Sequence, residues 1–220
     1  MNKQEYEHIK KVTQQAVEEC GACSDGLKAV AEAENIGRLC AVLKHFWPDV
    51  IGKLRDSIVA ILKEVYPHHR EEFKEYGIFF NEGCDHGRAI VTEGVHEFGG
   101  DARVWAFGKS VIKVSENAQC VARDEANVRG LDHAKVTLYG NSKCDAYNHC
   151  FITANGFSEA EIYDHCTVGA GENSTIYAYG WKSIVAAGNA VVYAPRSYKI
   201  KIIGDSHLQI VKEAKEWMHI

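Results

Sequence analysis

The sequence has 220 residues, of which 46% are hydrophobic and 25% charged, enough for one large or two small domains with a buried core. This excludes a miniprotein that depends on disulfides and an intrinsically disordered chain. The net charge of −5 argues against nucleic acid as a partner. The charged N-terminus lacks the apolar run of a signal peptide, and no later segment approaches the ~20 apolar residues of a membrane span. We therefore expect a cytoplasmic protein with no membrane partner, whose eight cysteines are thiols.

The first 80 residues predict a helical domain, because apolar residues recur at helical spacing between Leu54 and Val65. Pro48 and Pro67 mark expected boundaries between helices. Asp25 and Asn35 are the expected N-caps. The predicted helices cover roughly residues 3 to 19, 25 to 33, 36 to 46, 48 to 65 and 68 to 76.

From Gly99 to Ile210 the sequence divides into fourteen consecutive octads without an insertion. Position 2 is Gly, Asp, Asn or Glu in 13 of them, and position 4 is Ala, Ser or Cys in 12. Positions 6 and 8 never hold a charged residue. Alternate inward residues at positions 4, 6 and 8 suit a strand, and position 2 suits the positive φ angles of a corner. The repeat therefore predicts a parallel β-solenoid.

A longer period indicates how many octads form one coil, because equivalent residues on successive coils stack. Three sets recur at a spacing of sixteen: His133, His149 and His165; Tyr147, Tyr163 and Tyr179; Ser142, Ser158 and Ser174. We therefore expect a flattened, two-sided solenoid with 16 residues per coil and about seven coils, roughly 34 Å long at ~4.8 Å per coil. A three-sided coil is the alternative.

The octads carry a resemblance, which is closest in Ala187-Gly188-Asn189-Ala190-Val191-Val192-Tyr193-Ala194. Runs of the form Tyr-Gly-Asn-Ala-x-Val-x-Ala resemble the octapeptide arrays of uncharacterised phage, prophage and gut Bacteroidetes proteins. More weakly, residues 22 to 27 resemble a leader module of uncharacterised Bacteroidetes and phage proteins. The first resemblance covers about half of the chain and implies a β-solenoid, and neither implies a catalytic residue.

The fold class that we predict is α+β, an N-terminal helical domain followed by a C-terminal parallel β-solenoid. The expected boundaries are 1–80 for the helical domain, 81–98 for a connecting and capping segment, 99–210 for the solenoid and 211–220 for a C-terminal capping helix. The caps are expected because the terminal coils of a solenoid expose unpaired backbone groups.

Outward positions 5 and 7 give the two broad faces different chemistry. Even octads carry mixed charges between Lys113 and Glu161, followed by Tyr177 and Tyr193. Odd octads present a flat strip whose only central charge is Lys135. The predicted interaction face on this strip consists of Trp105, Val121, Thr137, Phe151, Thr153, Thr167 and Val185. Such a strip is usually covered, by the chain's own helices, an identical subunit or a separate ligand or partner. We predict a homo-oligomer joined through this face, or a protein partner bound to it.

Two residue groups are candidate metal ligands. Stacked imidazoles of His133, His149 and His165 could share a transition metal, although a polar aromatic residue also suits a corner that stacks on its neighbours. The second group resembles a zinc ligand set in kind, with atypical spacing, and the alternative is ordinary buried thiols. It consists of Cys20, Cys23, Cys84 and His86.

The usual enzyme motifs are missing: we find no nucleophile elbow, phosphate-binding loop or dinucleotide fingerprint. Glu159 and Glu161 share a strand face, which is more typical of a solvated surface than of a glycosidase pair. We therefore predict a non-enzymatic binding or assembly protein without a cofactor or catalytic residues. The alternative is a metal-dependent or carbohydrate-active enzyme that uses the solenoid surface.

Overall fold

A computed structural model describes residues 1–19, 21, 23–195 and 199–210, without the side chains of residues 47–54 and 210. The chain divides into two compact units, Met1–Phe80 and Asn81–Ile220. The predicted capping helix at 211–220 lies outside the described residues, as does Cys20.

The first unit consists of four helices and a short strand: α1 (Lys3–Glu19), α2 (Ser24–Glu32), α3 (Ile36–His45), α4 (Trp47–Glu75) and β1 (Ile78–Phe80). Helix α1 packs against α2 and α4, and α4 packs against β1. Ile9, Leu39, Ile61 and Phe73 are buried, so the apolar stripes of these amphipathic helices form the core of the unit.

Local signals fix some of the helix ends. The side chain of Asn35 accepts a hydrogen bond from the backbone N–H of Arg38 at 3.0 Å, which confirms the predicted N-cap of α3. The prediction for Asp25 is wrong, because α2 begins at Ser24 and its N-cap residue, Cys23, makes no side-chain capping bond.

The two helices predicted on either side of Pro67 form one element, α4. Proline lacks the N–H that would bond one turn back, so it disturbs a helix locally. The backbone leaves helical geometry at His69 (φ −130°, ψ 26°) and then continues to Glu75. The two predicted helical segments therefore meet at a kink just after Pro67, within one element.

The second unit is a parallel β-solenoid. Its strands are β2 (Arg88–Val91), β3 (Val95–Phe98), β4 (Arg103–Ala106), β5 (Val111–Val114), β6 (Gln119–Ala122), β7 (Asn127–Gly130), β8 (Lys135–Leu138), β9 (Lys143–Ala146), β10 (Phe151–Ala154), β11 (Glu159–Ile162), β12 (Thr167–Ala170), β13 (Thr175–Ala178), β14 (Ser183–Ala186), β15 (Val191–Ala194), β16 (Ile200–Ile202) and β17 (His207–Ile210). Even-numbered strands from β2 to β16 form sheet A, and odd-numbered strands from β3 to β17 form sheet B. Each coil therefore contributes one strand to each sheet, which confirms the two-sided coil.

The register between neighbouring strands is sixteen residues over most of the solenoid, as in the pairs Phe151 with Thr167 and Glu159 with Thr175. Counted from Gly99, the first, third and fifth octads end in β4, β6 and β8, which belong to sheet A. The strip predicted from odd octads is therefore the outward side of sheet A. We call this surface face A and the outward side of sheet B face B.

The corners explain position 2 of the octad. Six non-glycine residues at this position have φ between 52° and 60°: Glu116, Asp124, Asp132, Asn148, Asp164 and Glu172. Their side chains also accept hydrogen bonds from the backbone. Asn148 Oδ1 accepts from the N–H of Asp132 at 3.1 Å, and Asp164 Oδ2 accepts from the N–H of Asn148 at 2.9 Å. Each polar corner residue therefore binds the backbone of the coil before it.

The interior of the solenoid is narrow and made of small residues. Alanines such as Ala134 and Ala154 are completely buried, and so are Cys150 and Cys166 at position 4, as predicted for inward-facing residues. Ser142 and Ser174 are buried as well and donate to the carbonyls three residues earlier, at 2.9 and 2.7 Å.

Residues 81–98, predicted as a connecting and capping segment, contribute two strands to the solenoid. Strand β2 pairs with β4, and β3 pairs with β5. Arg88 pairs with Arg103, a separation of fifteen residues instead of sixteen, so β2 is out of phase with the octads that begin at Gly99, whereas β3 keeps the sixteen-residue register with β5. The loss of one residue at a corner explains why the repeat ends there while the coil does not.

Candidate functional site

Face A places the seven predicted interaction residues in two adjacent columns. One column runs Trp105, Val121, Thr137, Thr153, Gly169, Val185, and each residue pairs with the next across the sheet. In the second column Phe151 lies between Lys135 and Thr167. Phe151 and Val185 are 47% and 41% exposed. The face is therefore a regular apolar and hydroxyl-bearing strip, partly exposed at Trp105, Val121 and Thr137 and more exposed at Phe151 and Val185.

Lys135 is the one charge in the middle of face A within the described residues, and its column neighbours are Gln119 and Phe151. The other outward charges of sheet A are Arg88 and Arg103 near one end and Lys201 near the other. The centre of face A therefore offers little to an ionic ligand and much to a flat protein surface.

Face B is charged and its ion pairs run along the columns. Nζ of Lys113 lies 3.0 Å from Oε2 of Glu97, and Nζ of Lys143 lies 3.3 Å from Oε2 of Glu159. Arg129 and Asp145 approach to 3.9 Å. Each pair joins residues of adjacent coils, and all of these side chains are well exposed, so each contributes little to stability on its own.

Glu159 and Glu161, the pair considered for a glycosidase, each have a polar partner. Glu159 pairs with Lys143, while Glu161 accepts a hydrogen bond from the Tyr163 hydroxyl at 2.7 Å. Burial raises the pKa of Asp145, and the negative charge of Glu161 raises it further, against the opposing effect of Arg129. Each carboxylate thus has a structural partner nearby.

The predicted aromatic columns are formed. Tyr147, Tyr163 and Tyr179 stack with centroid separations of 4.7 and 4.8 Å and interplanar angles of 5° and 7°. Tyr177 and Tyr193 stack at 5.0 Å. Because the ring faces cover one another along the solenoid, the columns present ring edges and hydroxyl groups outward.

The three predicted histidines form a column at exposed corners. The ring centroids of His133 and His149 are 5.4 Å apart at 74°, and those of His149 and His165 are 5.6 Å apart at 52°. An open groove of about 490 Å³ is lined by Glu116, Asn117, Asp132, His133, Asn148 and His149. The position-2 side chains of this groove are engaged by the backbone of the preceding coil, as Asp132 is by the N–H of Glu116.

Within the described ranges, no group of three or more His, Cys, Asp or Glu side chains is arranged to hold a metal ion. Cys23 belongs to the first unit, Cys84 and His86 belong to the second, and Cys20 lies outside the described residues. Burial raises the pKa of Cys84 to about 12. Metal binding by the histidine column or by the cysteines remains a prediction, and elemental analysis of the untagged protein tests it.

Sequence reasoning missed two features of the surface. The acceptor role of the corner side chains was not anticipated, although polar residues recur at position 2 with a spacing of sixteen. The order of charges along face B was also missed, because it becomes visible only when residues sixteen apart are read as one column.

No protein-family model matches the chain, and no curated protein and no solved structure is similar to it. Among the described residues, no helix combines the length and apolarity that spanning a membrane requires.

Proposed function

We propose that this chain is a non-enzymatic assembly protein, whose rigid β-solenoid is a scaffold and whose face A is a contact surface for a second copy or another protein. The observation that carries the proposal is the column from Trp105 to Val185, which is in register on six adjacent strands and has no charge along that length. A strip of this kind gains free energy when a partner removes it from water. A role within a phage or prophage particle rests on the octad resemblance alone.

The rigidity of the scaffold supports this function. Backbone hydrogen bonds join every coil to the next at strands and corners, as in Phe151 N–H to Ala134 O at 3.0 Å and His149 N–H to Asp132 O at 2.8 Å. A surface held in this way loses little conformational entropy on binding. The entropic cost of binding a partner is therefore smaller than for a flexible surface.

Light scattering coupled to size-exclusion chromatography tests the proposal. The double variant Thr137→Glu with Thr153→Glu places two charges on adjacent strands at the centre of face A, and we expect the mass in solution to fall. The matched control, Asn141→Glu with Phe157→Glu, places the same charges on adjacent exposed corners and is expected to keep the wild-type mass. An unchanged mass in the face A variant would overturn self-assembly through this face.

A further inference from the structure

Face B carries a column of charges in which ion pairs alternate with contacts between like charges. The column on its outward side reads Glu97, Lys113, Arg129, Asp145, Glu161, with each residue paired to the next across the sheet. Strands in a parallel sheet lie ~4.8 Å apart, so Lys113 and Arg129 are like-charged neighbours. Asp145 and Glu161 are like-charged neighbours as well. Like charges on directly paired residues are unfavourable.

An alternating order would stabilise the same column better. Exchanging Arg129 and Asp145 would give Lys, Asp, Arg, Glu, with every neighbour of opposite sign. Within one molecule Lys113 pairs with Glu97 and Arg129 lies near Asp145, but the order of two bases followed by two acids still leaves two contacts between like charges, Lys113 with Arg129 and Asp145 with Glu161. Burial is the main cause of the raised pKa of Asp145, and the negative charge of Glu161 raises this pKa further.

Two bases followed by two acids form a self-complementary series. When a second copy faces the first with its coils running in the opposite direction, about a two-fold axis that lies in the interface between β7 and β9, the order is reversed. Lys113 then faces Glu161 of the other copy, and Arg129 faces Asp145 of the other copy. Symmetry repeats both pairs, so four ion pairs span the interface and every like-charged neighbour gains an opposite charge.

Two of the flanking contacts suit the same arrangement. Asn127 then faces Lys143 of the other copy, where its amide oxygen is an acceptor for the ammonium group. Glu97 faces the hydroxyl of Tyr177, a neutral donor. Val95 and Val111 are 74% and 42% exposed in the isolated chain, and in this arrangement they face Thr175 and Glu159 of the other copy.

We propose that face B is a two-fold interface with a second, antiparallel copy of this chain, held by the Lys113, Arg129, Asp145 and Glu161 column. The surface is distinct from face A, and the proposal does not depend on face A joining copies.

Charge exchange tests this interface. Arg129→Asp makes residue 129 repel Asp145 of the other copy, and we expect the dissociation constant of the face B contact to rise at least tenfold. The double variant Arg129→Asp with Asp145→Arg is complementary again when paired with itself, so its self-association is expected to return. Circular dichroism of each variant checks that the solenoid is folded.

Mixing the wild type with the double exchange variant distinguishes this interface from any other contact between copies. Wild type and the double exchange variant are each self-complementary, but in a mixed pair Arg129 meets an arginine and Asp145 meets an aspartate. Native mass spectrometry of variants that also carry Thr137→Glu and Thr153→Glu is therefore expected to show both homodimers and few heterodimers. Free mixing, or a monomer in both proteins at millimolar concentration, would overturn the interface. Loss of assembly only in the face A variants would overturn it as well and leave the proposed function standing.

Discussion

Single residues inside the solenoid test how well its narrow core tolerates polar groups. The Oγ atoms of Ser110 and Ser158 are buried and have no hydrogen-bond partner among the described residues, whereas Ser142 donates to Tyr139 O at 2.9 Å. A buried hydroxyl without a partner costs free energy, and one with a partner contributes about 1 kcal/mol.

We therefore expect Ser158→Ala to leave the free energy of unfolding unchanged or to raise it, and Ser142→Ala to lower it by about 1 kcal/mol. Chemical denaturation of the two variants, which remove the same atom from the same octad position, measures the difference. Equal losses would show that the hydroxyl of Ser158 has a partner after all.

Buried cysteines give a second test at this scale. Burial raises the pKa of Cys120 to about 12, so its reactive thiolate is scarce at pH 9, whereas Cys23 is exposed. We expect iodoacetamide to label Cys23 in the folded protein and to spare Cys120 from pH 7 to 9, with peptide mass mapping as the readout. Cys120 should be labelled once denaturant is added, and labelling before that would mean that the coil opens readily.

At the scale of elements, the coil and not the octad is the unit of structure. The histidine, tyrosine and serine columns all have a period of sixteen, and the corner side chains bind the coil before them. Each coil touches mainly its neighbours, so its removal should subtract one coil's share of stability.

Deletion of residues 135–150 removes one whole coil, β8 and β9, and we expect a cooperatively folded protein with a modestly lower melting temperature. Deletion of residues 135–142 removes one octad, which is half a coil. Every later strand would then move from its own sheet to the other one. The second deletion breaks the columns and should lower the melting temperature much further, as circular dichroism would measure. Similar melting temperatures would mean that the stacked columns contribute little.

The sequence was sufficient to predict this element because small inward residues and corner residues repeat with fixed spacing. The coil formed by residues 81–98 could not be predicted in this way, since Arg88 and Arg103 are fifteen apart. The kink in α4 was predictable in part: Pro67 indicates a break in helical geometry near this position, but a proline does not always end a helix, so the sequence alone does not show that the two segments run on as one element.

The candidate surfaces were predictable in unequal degree. Face A could be found from alternation alone, because the outward residues of odd octads carry little charge, with Lys135 as the central exception. Face B could be recognised as charged, but its function as an interface depends on the order Lys113, Arg129, Asp145, Glu161, which has meaning only once the strand register is known.

At the scale of the whole assembly, the two proposed contacts lie on opposite sides of one flat solenoid. A two-fold contact through face A and another through face B do not close on themselves, so copies would add in an open series. A variant that disrupts only one of the two faces should form dimers and nothing larger. The combination of Thr137→Glu, Thr153→Glu and Arg129→Asp, which disrupts both faces, should be monomeric.

Salt should act on the two contacts differently. Exposed ion pairs are screened strongly as the Debye length falls from ~10 Å at 0.1 M to ~3 Å at 1 M salt, whereas burial of uncharged surface is not weakened in this way. At low salt we expect the wild-type assemblies to become larger as the protein concentration rises. At high salt we expect only a dimer joined through face A. The Thr137→Glu and Thr153→Glu variant should then pass from dimer to monomer over the same range. Sedimentation velocity measures both series, and a wild-type assembly that is insensitive to salt would assign all self-association to face A.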